Sequence, residues 1–401
     1  MKQKKLLLLG GSRYLLPVIQ AAHKLGAYVI TCDYLPDNAA HKYSDEYCNI
    51  SIIDKEAVLE AAKRLSIDGV MSFACDPGVV TAAYVAEKMG LPSCGPYESV
   101  RILQQKDEFR RFLADHGFSV PRSVGCSSYG ELEKIDLDSF HWPVIVKPVD
   151  SAGSKGVSVI RTMREMSRAF EYALSFSKAG RVIVEEFIEK VGCSTDSDSF
   201  SVDGKLAFVS YSAQRFDEES ANPYAPAAFS WPSTMTPEQE RCLTSELQRL
   251  LSLLHMGTSI YNVEARVGTD GKVYIMEVSP RGGGNRLAEM VRFATGADMI
   301  QASVAAALGE KADIRQCDYD GHWAEVILHS HSSGTFVSVE FSDEIKKYIR
   351  ELDLWVKIGS KIESFCSASQ TIGTLVLKFP DEGTLDHIIS NVNSHYNVKV
   401  G

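Results

Sequence analysis

The stretch Tyr261–Arg286, YNVEARVGTDGKVYIMEVSPRGGGNR, constrains this chain more than any other. Two strand-like runs, Tyr261–Val267 and Lys272–Val278, flank Asp270-Gly271, a dipeptide that favours the two-residue type I′ turn. With that loop Thr269 pairs with Lys272, and the register sets Glu264 opposite Glu277, Cβ atoms ~5 Å apart on one face. The other face then carries Val263, Ala265, Val267, Tyr274, Met276 and Val278, an apolar set suited to a core. A three-residue Thr269–Gly271 loop with a bulge shifts this register by one.

Two carboxylates directly opposite each other repel unless a cation lies between them. Mg²⁺ takes oxygen ligands, commonly one or two carboxylates with phosphates and water completing the shell. The alternative is a solvated strand face, on which the pair matters by only a few tenths of a kcal/mol. Ser279-Pro280-Arg281 and Gly282-Gly283-Gly284-Asn285-Arg286 follow directly. A cation and a flexible, amide-rich loop beyond two carboxylates point to a metal-bound anion held in place.

The 401 residues suffice for two or more domains. A net charge of −10 argues against a nucleic-acid partner. The nine cysteines are scattered and form no CxxC pair, which indicates neither a disulfide framework nor a zinc site. Lys2, Lys4 and Lys5 before Leu6–Leu9 mimic a signal peptide, but Gly10-Gly11 breaks the apolar run. No run approaches the ~18 apolar residues of a membrane span, and a cytoplasmic location is expected.

Strands at Lys5–Leu9, Tyr28–Cys32 and Gly69–Phe73 alternate with helices at Leu15–Leu25, Lys55–Leu65 and Val79–Met89. Gly10–Leu15 lacks the G-x-G-x-x-G spacing of a dinucleotide fold, which disfavours a nicotinamide-dependent oxidoreductase. Asp76 lies where open α/β sheets place ligands, although a helix-start role is favoured. A charged helical segment, Val100–Gly117, contains Lys106. The apolar strand Pro143–Asp150 carries Lys147 in its middle, where a lysine needs an anionic partner. The glycine-rich loop Ser151–Gly156 follows, then a strand at Val157–Arg161; such a tip can lay backbone N–H groups over phosphates. Arg181–Ile188 reads as a strand ending in Glu185-Glu186-Phe187-Ile188, able to offer backbone groups and a carboxylate to an adenine edge.

Gln214–Met235 reads as irregular, bordering an acceptor site, with Tyr224 and Trp231 packed beneath a long loop. Thr236–Leu254 and Leu287–Leu308 read as helical. Toward the C-terminus, strands at Ala324–Ser330 and Thr371–Lys378 surround a helix at Asp343–Leu352, and a last helix spans Gly383–Val392. His329 and His331 share a strand face with no third ligand near, which makes them ordinary.

The order of Lys106, then Lys147 with Ser151–Gly156, then Glu185–Ile188, then Glu264 and Glu277–Arg281 resembles the ATP-grasp family across nearly the whole chain. The resemblance implies an α/β and α+β fold: an N-terminal parallel α/β pre-ATP-grasp domain, a two-lobed ATP-grasp fold and a C-terminal α+β subdomain. The corresponding divisions are residues 1–105, 106–190 (small lobe with the glycine-rich lid), 191–310 (large lobe with the metal site) and 311–401.

It further implies ATP and Mg²⁺. Lys106 and Lys147 look like the lysines that hold the ATP phosphates. Ser151, Gly153, Ser154 and Gly156 look like part of the loop that closes over them. Glu185 would take the adenine amino group, with Glu186 and Ile188 giving backbone contacts. Glu264 and Glu277 would hold Mg²⁺, and Arg281, with Lys147 a catalytic residue by resemblance, would hold the transferred phosphate or the acyl phosphate. Two departures stand out. Ser279 occupies the place of the family's usual asparagine in the last motif, where Asn262 could compensate, and the ribose-binding acid is either Asp196 or Asp198.

The activity implied is ATP-dependent joining of a small-molecule carboxylate to an amine (or thiol) through an acyl phosphate, similar to the amino-acid ligase and carbamoyl-phosphate-synthase-like branches. A homodimer is in keeping with the resemblance. The competing reading, from Ser279, is a non-catalytic nucleotide-binding sensor or partner-binding protein.

Overall fold

The computed structural model describes residues 3–151, 153 and 155–401. The leucine run forms strand β1 (Lys5–Leu9), with Leu6 to Leu9 wholly buried, as a parallel strand covered on both faces requires. Helix α1 (Leu16–Lys24), β2 (Tyr28–Cys32), β3 (Glu46–Cys48), α2 (Lys55–Leu65), β4 (Gly69–Ser72) and α3 (Asp76–Met89) follow. The strands make an all-parallel sheet in the order β3-β2-β1-β4. Because α3 opens at Asp76, ahead of the expected Val79, that carboxylate stands between the end of β4 and the start of a helix.

The charged segment is two helices, α4 (Tyr97–Gln104) and α5 (Lys106–Asp115), parted by extended backbone at Gln105. The amide of Lys106 donates to the Val149 carbonyl at 3.0 Å and ties the start of α5 to the next unit. That unit holds β5 (Ser123–Cys126), α6 (Tyr129–Leu132), β6 (Val144–Pro148), β7 (Ser158–Ile160), α7 (Met166–Ser175) and β8 (Val182–Glu186), with sheet order β5-β8-β6-β7. Val144, Val146, Val182 and Val184 pack against Met166 and Phe170 of α7.

Next come β9 (Thr195–Val202), β10 (Lys205–Phe208), β11 (Ala213–Phe216), β12 (Pro226–Trp231), α8 (Pro237–Leu253), β13 (Ser259–Val267) and β14 (Val273–Ser279). The chain continues through α9 (Leu287–Thr295), α10 (Met299–Ala307), β15 (His322–Leu328), β16 (Gly334–Phe341), β17 (Ile349–Leu354), β18 (Lys361–Ile362), β19 (Gly373–Phe379), α11 (Glu382–Ile389) and β20 (Tyr396–Val400). These strands form sheets ordered β10-β9-β13-β14, β11-β12-β15-β19-β17 and β18-β16-β20. Among the described residues no helix is long and apolar enough to cross a membrane.

Three expectations are corrected here. Gln214–Met235 is not irregular throughout: it holds β11 and β12, which pair into the sheet of the C-terminal strands and so link residues on either side of position 310. Trp231 is a strand residue, wholly buried, whose Nε1 donates to Ser197 Oγ at 3.2 Å. The expected helix at Asp343–Leu352 is a short 3₁₀ turn followed by β17. Residues 349–354 alternate between partly buried and exposed, the period of a strand.

The β13–β14 hairpin uses both of the registers open to it. At the turn Val267 opposes Val273 and the Gly268 amide donates to the Lys272 carbonyl at 2.9 Å, giving a three-residue loop with Gly271 at φ 77°. A bulge past Ala265 then restores the other register, so Glu264 opposes Glu277 and Asn262 opposes Ser279. A one-residue slip exchanges the faces of a strand. Val273 and Ile275 therefore join Val263, Ala265 and Val267 in one core cluster, while Tyr274 and Met276, buried as expected, lie outside that cluster.

Candidate active site

Three neighbouring strands place their polar side chains in two rows. Asp196 on β9 opposes Glu264 on β13, which opposes Glu277 on β14; one step along, Asp198, Asn262 and Ser279 form the second row. Glu264 and Glu277 keep 31% and 29% of their side-chain surface exposed, enough to reach a ligand. Cations flank them: Lys106 Nζ lies 3.3 Å from Glu277, and an Arg266 guanidinium nitrogen 3.5 Å from Glu264.

The second row is internally engaged. Asn262 Nδ2 donates to Asp196 at 2.7 Å and to Asp198 at 3.3 Å, and the Gly283 amide donates to both oxygens of Asp198, at 2.9 and 3.1 Å. Of the glycines after Arg281, Gly282 and Gly283 are thus packed into the site, whereas Gly284 has open space around it. A Cβ on Gly282 would sit 2.2 Å from the Phe73 ring, and one on Gly283 would meet Leu287 at 2.6 Å. Close approach is what demands glycine there.

Facing this wall is the end of β6 and β8. Lys147 and Glu185 form a buried ion pair, and Arg110 Nε reaches the other oxygen of Glu185 at 2.8 Å while its Nη1 donates to the Met276 carbonyl at 2.8 Å. The Glu185 carboxylate is wholly buried and committed to these two cations. They hold its pKa down at about 2 against the burial that pushes it up. Burial pushes Lys147 the other way, below the usual lysine range, with Glu185 opposing. Glu186 accepts from the backbone and ring of His141 at 2.9 and 3.0 Å. Between the two walls is a small cavity, with Lys147, Glu185, Glu186 and Ile188 on one side and Glu264 and Glu277 on the other.

Lys106 closes the near end: besides Glu277, its Nζ donates to the Ser151 carbonyl at 2.9 Å, at the root of the glycine-rich loop. Gly153 and Gly156 there adopt φ of +68° and +74°, which favours glycine over other residues. Ser154 lies outside the described residues. Arg281 is buried and bidentate to Asp76, with Nε and Nη2 each 2.8 Å from a carboxylate oxygen. Ser279 Oγ donates to Asp76 at 2.9 Å and accepts from Gln104 Nε2 at 2.8 Å. Asp76 is thus more than a helix-start residue, and Arg110 is a site residue that the sequence reading did not single out.

The carboxylates fit a hard cation. Burial and the neighbouring Glu264 charge push Asp196 up to about 8, and burial pushes Asp198 up to about 7. Unfolded aspartate titrates near 3.9, so the folded chain binds these protons more tightly. The stabilisation is complete below about pH 4 and is lost as pH rises through about 7 to 8. Buried Glu325, raised for the same reason, acts in the same sense. The urea midpoint of the metal-free protein is therefore expected to fall between pH 5 and 8, and millimolar Mg²⁺ to flatten the slope by offsetting the Glu264 charge. A midpoint that rises with pH would contradict this electrostatic reading.

The model of the ATP-grasp domain family matches residues 140–289. The chain is 31% identical over 187 residues to a formate-dependent phosphoribosylglycinamide formyltransferase of Synechococcus sp. (strain WH7803), 46% of this chain and 48% of that protein. The chain thus spans about half the length of that relative. The enzyme of the same name from Shewanella amazonensis is 29% identical over 283 residues, covering 69% of this chain and 68% of that one. Among solved structures, an L-amino acid ligase from Bacillus licheniformis superposes with a TM-score of 0.83 over the whole of both chains, at 20% identity. That last likeness is one of fold.

Proposed function

From the match of residues 140–289 to the ATP-grasp domain family and the geometry of the site, we propose that the chain is an ATP-grasp enzyme, an ATP- and Mg²⁺-dependent ligase joining a small-molecule carboxylate to an amine. The observation that carries this reading is the cavity in which Lys147 faces the Glu264–Glu277 pair, with Lys106 bridging to the glycine-rich loop. Lysines opposite carboxylates, one of them held at the root of a glycine-rich loop, form a place for a polyphosphate and its cation.

In this reading Lys106 and Lys147 hold the phosphates, and Ser151–Gly156 covers them. Ile188 and the backbone around Glu186 receive the adenine edge. Glu185, whose carboxylate is committed to Arg110 and Lys147, contributes by fixing Lys147 rather than by taking the adenine amino group. Glu264 and Glu277 hold Mg²⁺, which when bound neutralises charge developing on the phosphates. Arg281, aimed by Asp76, holds the carboxylate and its acyl phosphate while the amine attacks. The divisions at residues 105, 190 and 310, a cytoplasmic setting and a homodimer belong to the same proposal.

Purified protein with Mg²⁺–ATP is expected to release ADP and phosphate only when a matching carboxylate and amine are both supplied. Nucleotide binding without phosphate release across a broad panel of carboxylates, amines and thiols would favour a sensor instead. Lys147→Met is expected to weaken ATP binding at least tenfold, about 1.4 kcal/mol, by titration calorimetry. Unchanged affinity in a folded variant would remove Lys147 from the site.

A further inference from the structure

His329 and His331 are not ordinary. The connection after β11 brings Asp217 to them, and one ring nitrogen of each histidine and one Asp217 carboxylate oxygen all lie within 4.8 Å of one another. His329 Nε2 is 2.9 Å and His331 Nε2 2.6 Å from the same atom, Asp217 Oδ2. Asp217 Oδ1 accepts from the Glu219 amide at 3.0 Å, which fixes the carboxylate. The site shares no residue with the cavity that holds Lys147 and Glu264.

The tautomer of His329 decides what this cluster wants. Its Nδ1 lies 2.6 Å from the Ile327 carbonyl, an approach that requires a proton on Nδ1. In the neutral ring Nε2 is then a bare lone pair, aimed at a carboxylate oxygen that offers only lone pairs. Something positive must lie between them. A histidine that donates one ring nitrogen to a carbonyl and turns the other inward is the usual arrangement of a metal ligand with its supporting hydrogen bond. The Phe365 ring stacks on His329 with centroids 4.1 Å apart and holds the ring in plane.

We propose that Asp217, His329 and His331 bind one Zn²⁺ ion. Two imidazoles and a carboxylate suit zinc rather than Mg²⁺, which prefers an all-oxygen shell. Bonds of about 2.0–2.2 Å in tetrahedral geometry place ligand atoms a little over ~3 Å apart, so the present contacts need open by less than about 1 Å. His329 and Asp217 have side-chain exposures of 1% and 2%, whereas His331 has 40%. The fourth position therefore opens to solvent beside His331, where a water completes the shell. The ion would fasten the connection between β11 and β12 to the end of β15.

The test uses the full chain, dialysed against a chelator and titrated with Co²⁺ and then Zn²⁺ in excess Mg²⁺. One equivalent of Co²⁺ is expected, with visible ligand-field bands and no intense near-ultraviolet thiolate band, and Zn²⁺ should displace it. His331→Ala and Asp217→Asn should each weaken Zn²⁺ binding at least about 100-fold. His331→Ala, at a partly exposed position, should keep its fold and its Mg²⁺–ATP affinity. Binding below one equivalent, binding undiminished in His331→Ala, or a thiolate band that places the ion on cysteines would each overturn the site. So would an NMR titration showing that His329 holds a second proton at neutral pH with Zn²⁺ present.

Discussion

Glu277→Gln is expected to leave the metal-free protein as stable as the wild type or slightly more so, while lowering ATP-dependent turnover at least about 1,000-fold. The first half follows from its surroundings. Glu277 is Cα partner to Glu264, and its ion pair with Lys106 at 3.3 Å is partly exposed. Removing the charge relieves repulsion on one side and loses attraction on the other, each below about 1 kcal/mol. Lys106 keeps the Ser151 carbonyl. The second half rests on the proposed metal role: a lost carboxylate ligand removes about 4 kcal/mol of transition-state stabilisation, three factors of ten in rate. Urea midpoints and kcat at saturating Mg²⁺–ATP check both halves. A variant keeping a tenth or more of its activity would place the cation elsewhere.

Arg110→Met should do the reverse and act first on the fold. Arg110 is 1% exposed and divides its donors between Glu185 and the Met276 carbonyl, bridging β8 to β14. Without it Glu185 keeps only Lys147, and a buried carboxylate with an incomplete shell destabilises by about 3 kcal/mol. Lys147→Met leaves the Arg110–Glu185 pair in place, so it should weaken nucleotide binding more than it unfolds the chain. The pH dependence distinguishes them further. Glu185 is held near 2, below the ordinary glutamate value of about 4.3. Its stabilisation is therefore present above that value and lost as pH falls toward 2. Arg110→Met should blunt this acid limb, and an unfolding free energy within about 1 kcal/mol of wild type at pH 7 would contradict the bridging role.

How much of this was legible before the structure depended on the kind of interaction. The opposed glutamates were, because cross-strand pairing follows from a turn and a period of two. Even so, the turn is the three-residue form, and the opposition survives only because a bulge past Ala265 returns the register. The parallel strand β1 is marked by its leucines, and Lys147 by its apolar flanks. Arg110 was hidden because one arginine in a charged helix looks like any other; its meaning lies in Glu185, 75 residues away. The Asp76–Arg281 pair spans 205 residues and is equally silent in sequence. In β17, Ile349–Leu354, alternation was present but short, and the flanking charges imitated a helix surface. His329 and His331 were visible as a pair, but Asp217 reaches them only through the folding of the connection after β11.

If one cavity holds nucleotide and cation together, the melting temperature reports it directly. A ligand bound only by the folded state at 100 times its Kd adds about 2.7 kcal/mol, a rise of several degrees. Wild-type protein is expected to gain more from Mg²⁺ and ATP together than from the sum of each alone, and Glu277→Gln and Lys147→Met distinctly less. Equal gains in all three proteins, or additive gains in the wild type, would mean that the two ligands do not meet between Lys147 and the Glu264–Glu277 pair.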